Sequence, residues 1–318
     1  MSGRPDWSRD GADWPNRASS RFVSAAGLTW HVQRMGEGPV LLLLHGTGAA
    51  THSWAGLLPL LARQFTVVAP DLPGHGFTGS RPGRTLSLPF VARAVSELMA
   101  AMTLEPAVIV GHSAGAAVAA RMALDRRARP GAIISLNGAL LPFPGMMQLV
   151  APALAKLLFL NPLVPRLAAW RAGDPGAIDR LIDGTGSTID ARGKALYGRL
   201  FRRHGHAEAA LAMMANWDLE TLSRDLHRLA VPLTLVAAGN DRFTPPRVAD
   251  EVARRVGRAR VVHVPGLGHL AHEEAPDRIA AIIQAAATTD PTADASGSAT
   301  APAAPPGASP PAASDTAA

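Results

Sequence analysis

The stretch 108–117, VIVGHSAGAA, decides the fold. Val108, Ile109 and Val110 read as the end of a buried strand. Histidine, serine and two glycines then crowd one turn, and the alanine run after them reads as a helix. Gly111-His112-Ser113-Ala114-Gly115 fits the pattern G-x-S-x-G in the strand–turn–helix setting that a nucleophile elbow requires. In such a turn the serine is strained, and a side chain at either flanking glycine would strike neighbouring backbone. The helix N-terminus aims its unpaired N–H groups at the serine oxygen. Ala116, Ala117, Ala119 and Ala120 let the helix lie close to the strands.

Working outward, further short apolar runs read as strands: 40–44, 65–69, 107–110, 132–136, 233–238 and 260–264. They are continuous rather than alternating, as in a parallel sheet covered on both faces. Helical patterns at 88–102 and 116–128 lie between them. The expected fold class is therefore α/β, a mostly parallel, doubly wound sheet. Residues 20–36 read as an antiparallel pair at the sheet edge, turned at Ala26-Gly27.

Strand-like runs stop between Asn137 and Leu229. Residues 138–228 carry only helical pattern broken by Pro, Gly and Asp, and read as a helical cap inserted after the elbow-helix/strand unit. The resulting organisation is an N-terminal arm (1–20), a core (21–137 and 229–287), the cap, and an Ala/Pro-rich tail (288–318) read as disordered. Within the cap, 146–170 is strongly apolar. Pro152, Pro162 and Pro165 break it and Lys156 interrupts it, so a membrane span is not expected. The stretch reads as lid helices packed on the core, or alternatively as a lid that also lines a greasy pocket or touches the membrane surface.

A serine hydroxyl needs a base, and the base an orienting carboxylate. Asp241, after the strand at 233–238, and His269, after the strand at 260–264, supply them in the order Ser, acid, His. Two alternatives stay open: Asp241 as the cap of a helix beginning near Pro246, and His272 as the base. An oxyanion hole needs two backbone N–H groups. Ala114 offers one and Thr47, in the glycine-bearing loop His45-Gly46-Thr47-Gly48, the other. His45 reads as a brace for that loop, with Gly46, Gly48, Gly111 and Gly115 as its supporting glycines.

The motifs HGTG (45–48), DLPGHGFTGS (71–80), GHSAG (111–115), GND (239–241) and GHLAHEEAP (268–276) together resemble the α/β-hydrolase superfamily. That superfamily's G-H-x-x-x-x-E-x-P pattern falls on His269, Glu274 and Pro276, which favours His269 over His272. Asn137 stands where some subfamilies place the acid, and Ser113 departs from the aspartate nucleophile of dehalogenase- and epoxide-hydrolase-like members. Residues 4–33 resemble the opening of the magnesium-chelatase accessory proteins of bacteriochlorophyll biosynthesis. That resemblance implies a tetrapyrrole or another bulky apolar ester as ligand. It also implies magnesium-chelatase subunits as candidate partners, at the inner face of a photosynthetic membrane.

Composition excludes other chemistries. With no cysteine among 318 residues there is no disulfide, thiolate nucleophile or sulfur-held metal. No H-E-x-x-H pattern appears, so neither a metal nor another cofactor is expected. The net charge of +6 comes from scattered arginines without interleaved aromatics, which gives no nucleic-acid platform. Gly193-Lys194 is followed by Ala195, so the phosphate loop of an ATP-driven chelatase motor is missing. The polar first residues lack the apolar segment of a signal peptide, so a cytoplasmic protein is expected, with at most peripheral membrane contact. Three functions remain: a serine esterase on a bulky apolar ester, a non-catalytic porphyrin- or chelatase-binding accessory, and a general carboxylesterase or lactonase.

Overall fold

Leu41 to Leu44 point alternately to opposite sides of a sheet, and all four are fully buried. In the computed structural model this run is the centre of eight strands: β1 (Ser20–Ala25), β2 (Leu28–Met35), β3 (Val40–Leu44), β4 (Thr66–Pro70), β5 (Val108–His112), β6 (Ala132–Leu136), β7 (Leu233–Ala238) and β8 (Ala259–Val264). Their order is β1-β2-β4-β3-β5-β6-β7-β8. Strands β4, β3, β5, β6, β7 and β8 pair in parallel, while β1 and β2 add an antiparallel edge. This is the mostly parallel, doubly wound sheet the sequence predicts. The edge hairpin turns at Ala26 and Gly27, both at positive φ (53° and 67°), a geometry that matches strand twist. The structure describes residues 3–80, 86–142 and 174–288, together with Val164 and Leu167. The apolar stretch 146–170, apart from those two residues, and the tail after Thr288 lie outside the described residues.

The continuous apolar runs feed two cores. On one face Leu42, Leu44, Ile109, Ile133 and Leu235 pack with helices α3 (Leu88–Ala101) and α4 (Ala114–Leu124). On the other, Leu41, Leu43, Val110, Ile134 and Val236 pack with α2 (Leu57–Leu61) and the C-terminal helix, while the short α1 (Trp7–Asp10) precedes the sheet in sequence. Each such leucine stabilises the fold by about 2 kcal/mol through burial alone. Helix α4 is shorter than the pattern at 116–128 suggests. It ends at Leu124, because Arg126 turns left-handed at φ 56° and the N–H of Arg127 folds back to the Met122 carbonyl at 2.8 Å.

Between β6 and β7 the described elements are all helical: α5 (Pro175–Gly184), α6 (Ala191–Phe201), α7 (His204–Asn216) and α8 (Leu219–Asp225). The aspartates that break the sequence pattern are caps. Asp174, Asp190 and Asp218 accept from the backbone N–H groups of Gly176, Gly193 and Thr221, respectively, and so start α5, α6 and α8. Helix α9 (Pro246–Arg255) follows β7, and α10 (Ala271–Glu274) and α11 (Pro276–Thr288) follow β8. Leu222 and Leu226 at the end of the insertion are buried in the same core as α4. No helix among the described residues is long and apolar enough to cross a membrane.

Candidate active site

The chain runs from β3 outward to β4, then crosses back to β5 on the other side of β3. Ligands of doubly wound sheets lie at such a switch point, beyond the carboxyl ends of the strands. Here the loops after β3 and β5 flank it, and the register Leu44↔Gly111 sets them side by side. The registers His112↔Leu136 and Ala238↔Val264 bring the loops after β6, β7 and β8 to the same edge.

Ser113 sits between β5 and α4 at φ 49°, ψ −114°, outside the regions a side-chain-bearing residue ordinarily adopts. The flanking glycines are there for want of space rather than for backbone freedom. A Cβ at Gly111 would lie 2.4 Å from the nitrogen of Ala116, and one at Gly115 would lie 1.9 Å from the carbonyl oxygen of Leu44. A Cβ at Gly46 would come within 3.1 Å of the Cβ of Ser113, so the loop after β3 lies against the serine. Among the described residues, no protein acceptor takes the N–H of Thr47 or of Ala114.

His269 Nδ1 donates to Asp241 Oδ2 at 2.8 Å, both residues being only 5% exposed. The carboxylate is an acceptor, so Nδ1 carries the proton of this bond. The other oxygen of Asp241 accepts from the N–H groups of Phe243 (2.7 Å) and Thr244 (2.8 Å). Asp241 is not the cap of α9, whose N-cap position is Pro245 with no side-chain capping bond; its carboxylate organises its own turn instead. The exposed ring of Phe243 stands edge-on to His269 with centroids 5.3 Å apart. Ser113 Oγ makes no hydrogen bond to a described residue; bonds of this kind are often open without substrate. His272 is fully buried with neither ring nitrogen partnered, and its nearest carboxylate, that of Glu273, lies 3.9 Å away.

The backbone of His269 is also held. Its carbonyl accepts from His112 Nε2 at 2.9 Å and from Asn137 Nδ2 at 2.9 Å, and Asn137 also reaches the carbonyl of Gly268 at 3.1 Å. Asn137 Oδ1 accepts from the N–H of Ala238 at 2.9 Å. Burial, reinforced by the neighbouring His272 and His269, holds the His112 imidazole well below its usual pKa, which keeps it neutral. His45 is a loop brace: Nδ1 donates to the carbonyl of Gly46, Nε2 accepts from the N–H of Leu72, both at 2.8 Å, and burial keeps it neutral. From α7, His206 donates to the carbonyl of Gly48 at 3.0 Å and Thr47 Oγ1 donates to Met213 Sδ at 3.3 Å. Among the described residues there is no cluster of three or more groups suited to hold a metal ion.

A family model described as "Alpha/beta hydrolase family" matches residues 41–282. This chain belongs to the alpha/beta hydrolase family. It is 38% identical over 278 residues to the magnesium-chelatase 30 kDa subunit of Rhodobacter capsulatus, covering 86% of this chain and 95% of that protein. It is also 25% identical over 274 residues to the AB hydrolase superfamily protein YfhM of Bacillus subtilis, over 80% of this chain and 93% of that one. A solved alpha/beta hydrolase fold protein from Burkholderia ambifaria superposes with a TM-score of 0.70 at 20% identity, covering 83% of this chain and 96% of its own. That last likeness speaks for the fold alone.

Sequence reasoning singled out Ser113, Asp241, His269, Thr47 and Ala114, and the structure gathers all five at one edge of the sheet. It missed the roles of His112 and Asn137, although His112 ends β5 and Asn137 directly follows β6 at the edge where the candidate residues sit. Phe243 and the segment Thr185–Ser187, which also reaches His269, gave no signal, because nothing local marks a residue whose partner lies far along the chain.

Proposed function

We propose that this alpha/beta hydrolase is a serine hydrolase that cleaves a carboxylic ester of a bulky apolar, tetrapyrrole-type compound and works alongside a magnesium chelatase. The observation that carries the reading is the buried His269–Asp241 pair at the same sheet edge as a serine at an elbow. In this reading His269 Nε2 takes the Ser113 proton as Oγ attacks the ester carbonyl carbon. The N–H groups of Thr47 and Ala114 hold the resulting oxyanion. The protonated His269 then gives its proton to the departing alkoxide. Water, deprotonated by the same imidazole, releases the acid and restores Ser113. Residues 138–228 act as the cap that admits the apolar substrate, over a core of 21–137 and 229–287. The pathway rests on the 38% identity to the R. capsulatus chelatase subunit.

A second reading, a non-catalytic accessory that holds a porphyrin or the chelatase, is favoured by that same relative and by the open Ser113 Oγ. A fluorophosphonate probe separates the two. Labelling of Ser113 that falls about a thousandfold or more in His269→Ala supports the hydrolase. Labelling no faster than that of an ordinary exposed serine leaves the accessory reading.

A further inference from the structure

His269 lies between two halves of the molecule. The core takes its carbonyl through His112 and Asn137. Its N–H goes the other way, to the carbonyl of Thr185 at 3.3 Å, in the turn that follows α5. The next N–H, of Leu270, donates to Ser187 Oγ at 2.8 Å. The same Thr185 carbonyl also accepts from the N–H of Arg242 at 3.2 Å, the residue after Asp241. Thr188 N–H adds a bond of 3.2 Å to Glu274 Oε2, whose other oxygen accepts from Gly268 N–H at 2.8 Å. One turn of the insertion thus touches the loops of both Asp241 and His269.

The turn has little freedom. Gly186 stands at φ +80°, and a Cβ there would lie 2.0 Å from the carbonyl oxygen of Asn240. A Cβ on Gly268 would lie 2.3 Å from the carbonyl oxygen of Gly186. Thr185 Oγ1 donates to the carbonyl of Ile182 at 2.6 Å and accepts from Ser187 N–H at 3.2 Å, which fixes the Ser187 hydroxyl under Leu270. Ser187 is 2% exposed and His269 5%, so water does not readily replace these partners.

The geometry points to the turn Thr185–Gly186–Ser187 as a positioning element: through its bonds to the loops of Asp241 and His269 it aligns the imidazole with the carboxylate. This rests on the hydrolase reading for its consequence but not for its measurement. Among the described residues the backbone bonds of Ser113 run to Leu136, Ala116 and Ala139, none of them in the turn.

The full chain is compared with Ser187→Ala, which removes only the hydroxyl, and with Ser187→Thr, which restores it. The first readout is the downfield proton resonance of the His269 Nδ1–H, with amide exchange at His269 and Leu270. Ser187→Ala is expected to speed that exchange about tenfold and to broaden the imidazole proton, with Ser187→Thr returning both toward wild type. The second readout is fluorophosphonate labelling of Ser113, expected to fall about tenfold in Ser187→Ala and to recover in Ser187→Thr. An imidazole resonance and an exchange rate that stay within about twofold of wild type in folded Ser187→Ala overturn the inference. A wild type that shows the resonance and its loss in Ser187→Ala but never labels at Ser113 overturns the hydrolase reading and leaves the positioning role standing.

Discussion

Asn137 Nδ2 lies 2.9 Å from the carbonyl oxygen of His269, across 132 residues of sequence. Asn137 occupies a left-handed backbone position at φ 47° that asparagine tolerates better than most residues. Its side chain ties the ends of β6 and β7 to the loop after β8, so it does for the His269 backbone what Asp241 does for the ring. Asn137→Ala should cost about 3 kcal/mol, because it strands the N–H of Ala238 and the carbonyl of Gly268, leaves the His269 carbonyl with His112 alone, and adds backbone strain. Asn137→Gly, free of the strain, should recover about 1 kcal/mol of that. Denaturant unfolding of the three proteins measures both steps, and equal losses in the two variants would assign the whole cost to the hydrogen bonds.

The elbow glycines make a sharper test of packing. Gly115→Ala places a methyl 1.9 Å from a carbonyl oxygen of β3, so helix and strand must separate. A loss of about 3 kcal/mol or more is expected, enough to deplete soluble protein. Gly131→Ala is the control, because its nearest neighbour, the carbonyl oxygen of Ala107, is 3.5 Å away. It should shift stability by no more than about 0.5 kcal/mol. A tolerated Gly115→Ala would mean that α4 does not sit this close to β3.

Trp14 anchors the N-terminal arm. It is 2% exposed, packs with Ala50, Leu196 and Leu200, and donates its Nε1–H to Thr51 Oγ1 at 3.0 Å. Nearby, Asp10 pairs with Arg203 at 2.6 Å, and Asp13 pairs with Arg199, which also donates to the Asp10 carbonyl at 2.7 Å. The arm therefore straps α6 to the loop after β3. Trp14→Ala should cost about 4 kcal/mol. Hydrogen exchange should then rise across α6 and residues 49–54 ahead of the sheet. Uniform acceleration over the whole chain would show that the arm is ordinary core instead.

How far the sequence carried follows from the range of each interaction. The continuous leucines of β3 and the glycines around Ser113 announce themselves within ten residues, because strand burial and the elbow clash are local. Asp241 and His269 were legible from their places after successive strands. The strap at Trp14 and Arg203 and the turn at Thr185–Ser187 were not, since each depends on where a helical insertion folds back. A tryptophan fourteen residues in carries no mark of the helix it will meet. Helix α4 was read four residues too long for a related reason: Arg126 and Arg127 are good helix formers, and only the return of the chain toward β6 turns Arg126 left-handed.

Two sets of buried groups set the pH response. Burial pushes His52 down to about 3, His206 to about 4 and His272 to about 3, and lowers His45, His75 and His112 in the same way. Each stays neutral when folded but takes a proton near 6.5 when unfolded. The unfolded state therefore binds more protons below about 6.5, and stability falls as pH drops through that range. Glu273 works with the opposite sign. Burial raises it to about 8, helped by the charges of Asp190 and Glu274 and opposed by the hydroxyl of Tyr197, which donates to Oε1 at 2.7 Å. Above about 4.5 the unfolded chain has lost this proton while the folded chain keeps it, so its contribution declines from there to about 8. Six histidines outweigh one glutamate on the acid side, and the glutamate acts alone above about 6.5. Stability should peak near about pH 6.5 and decline toward pH 8. Glu273→Gln keeps an acceptor for Tyr197 and removes the titration, so its curve should run level over that alkaline interval and exceed wild type at its end. Urea unfolding of both proteins at half-unit steps from pH 5 to 9 gives the two curves. Parallel declines above the peak would show that Glu273 is ionised in the folded protein, and that Tyr197 alone suffices to hold the charge.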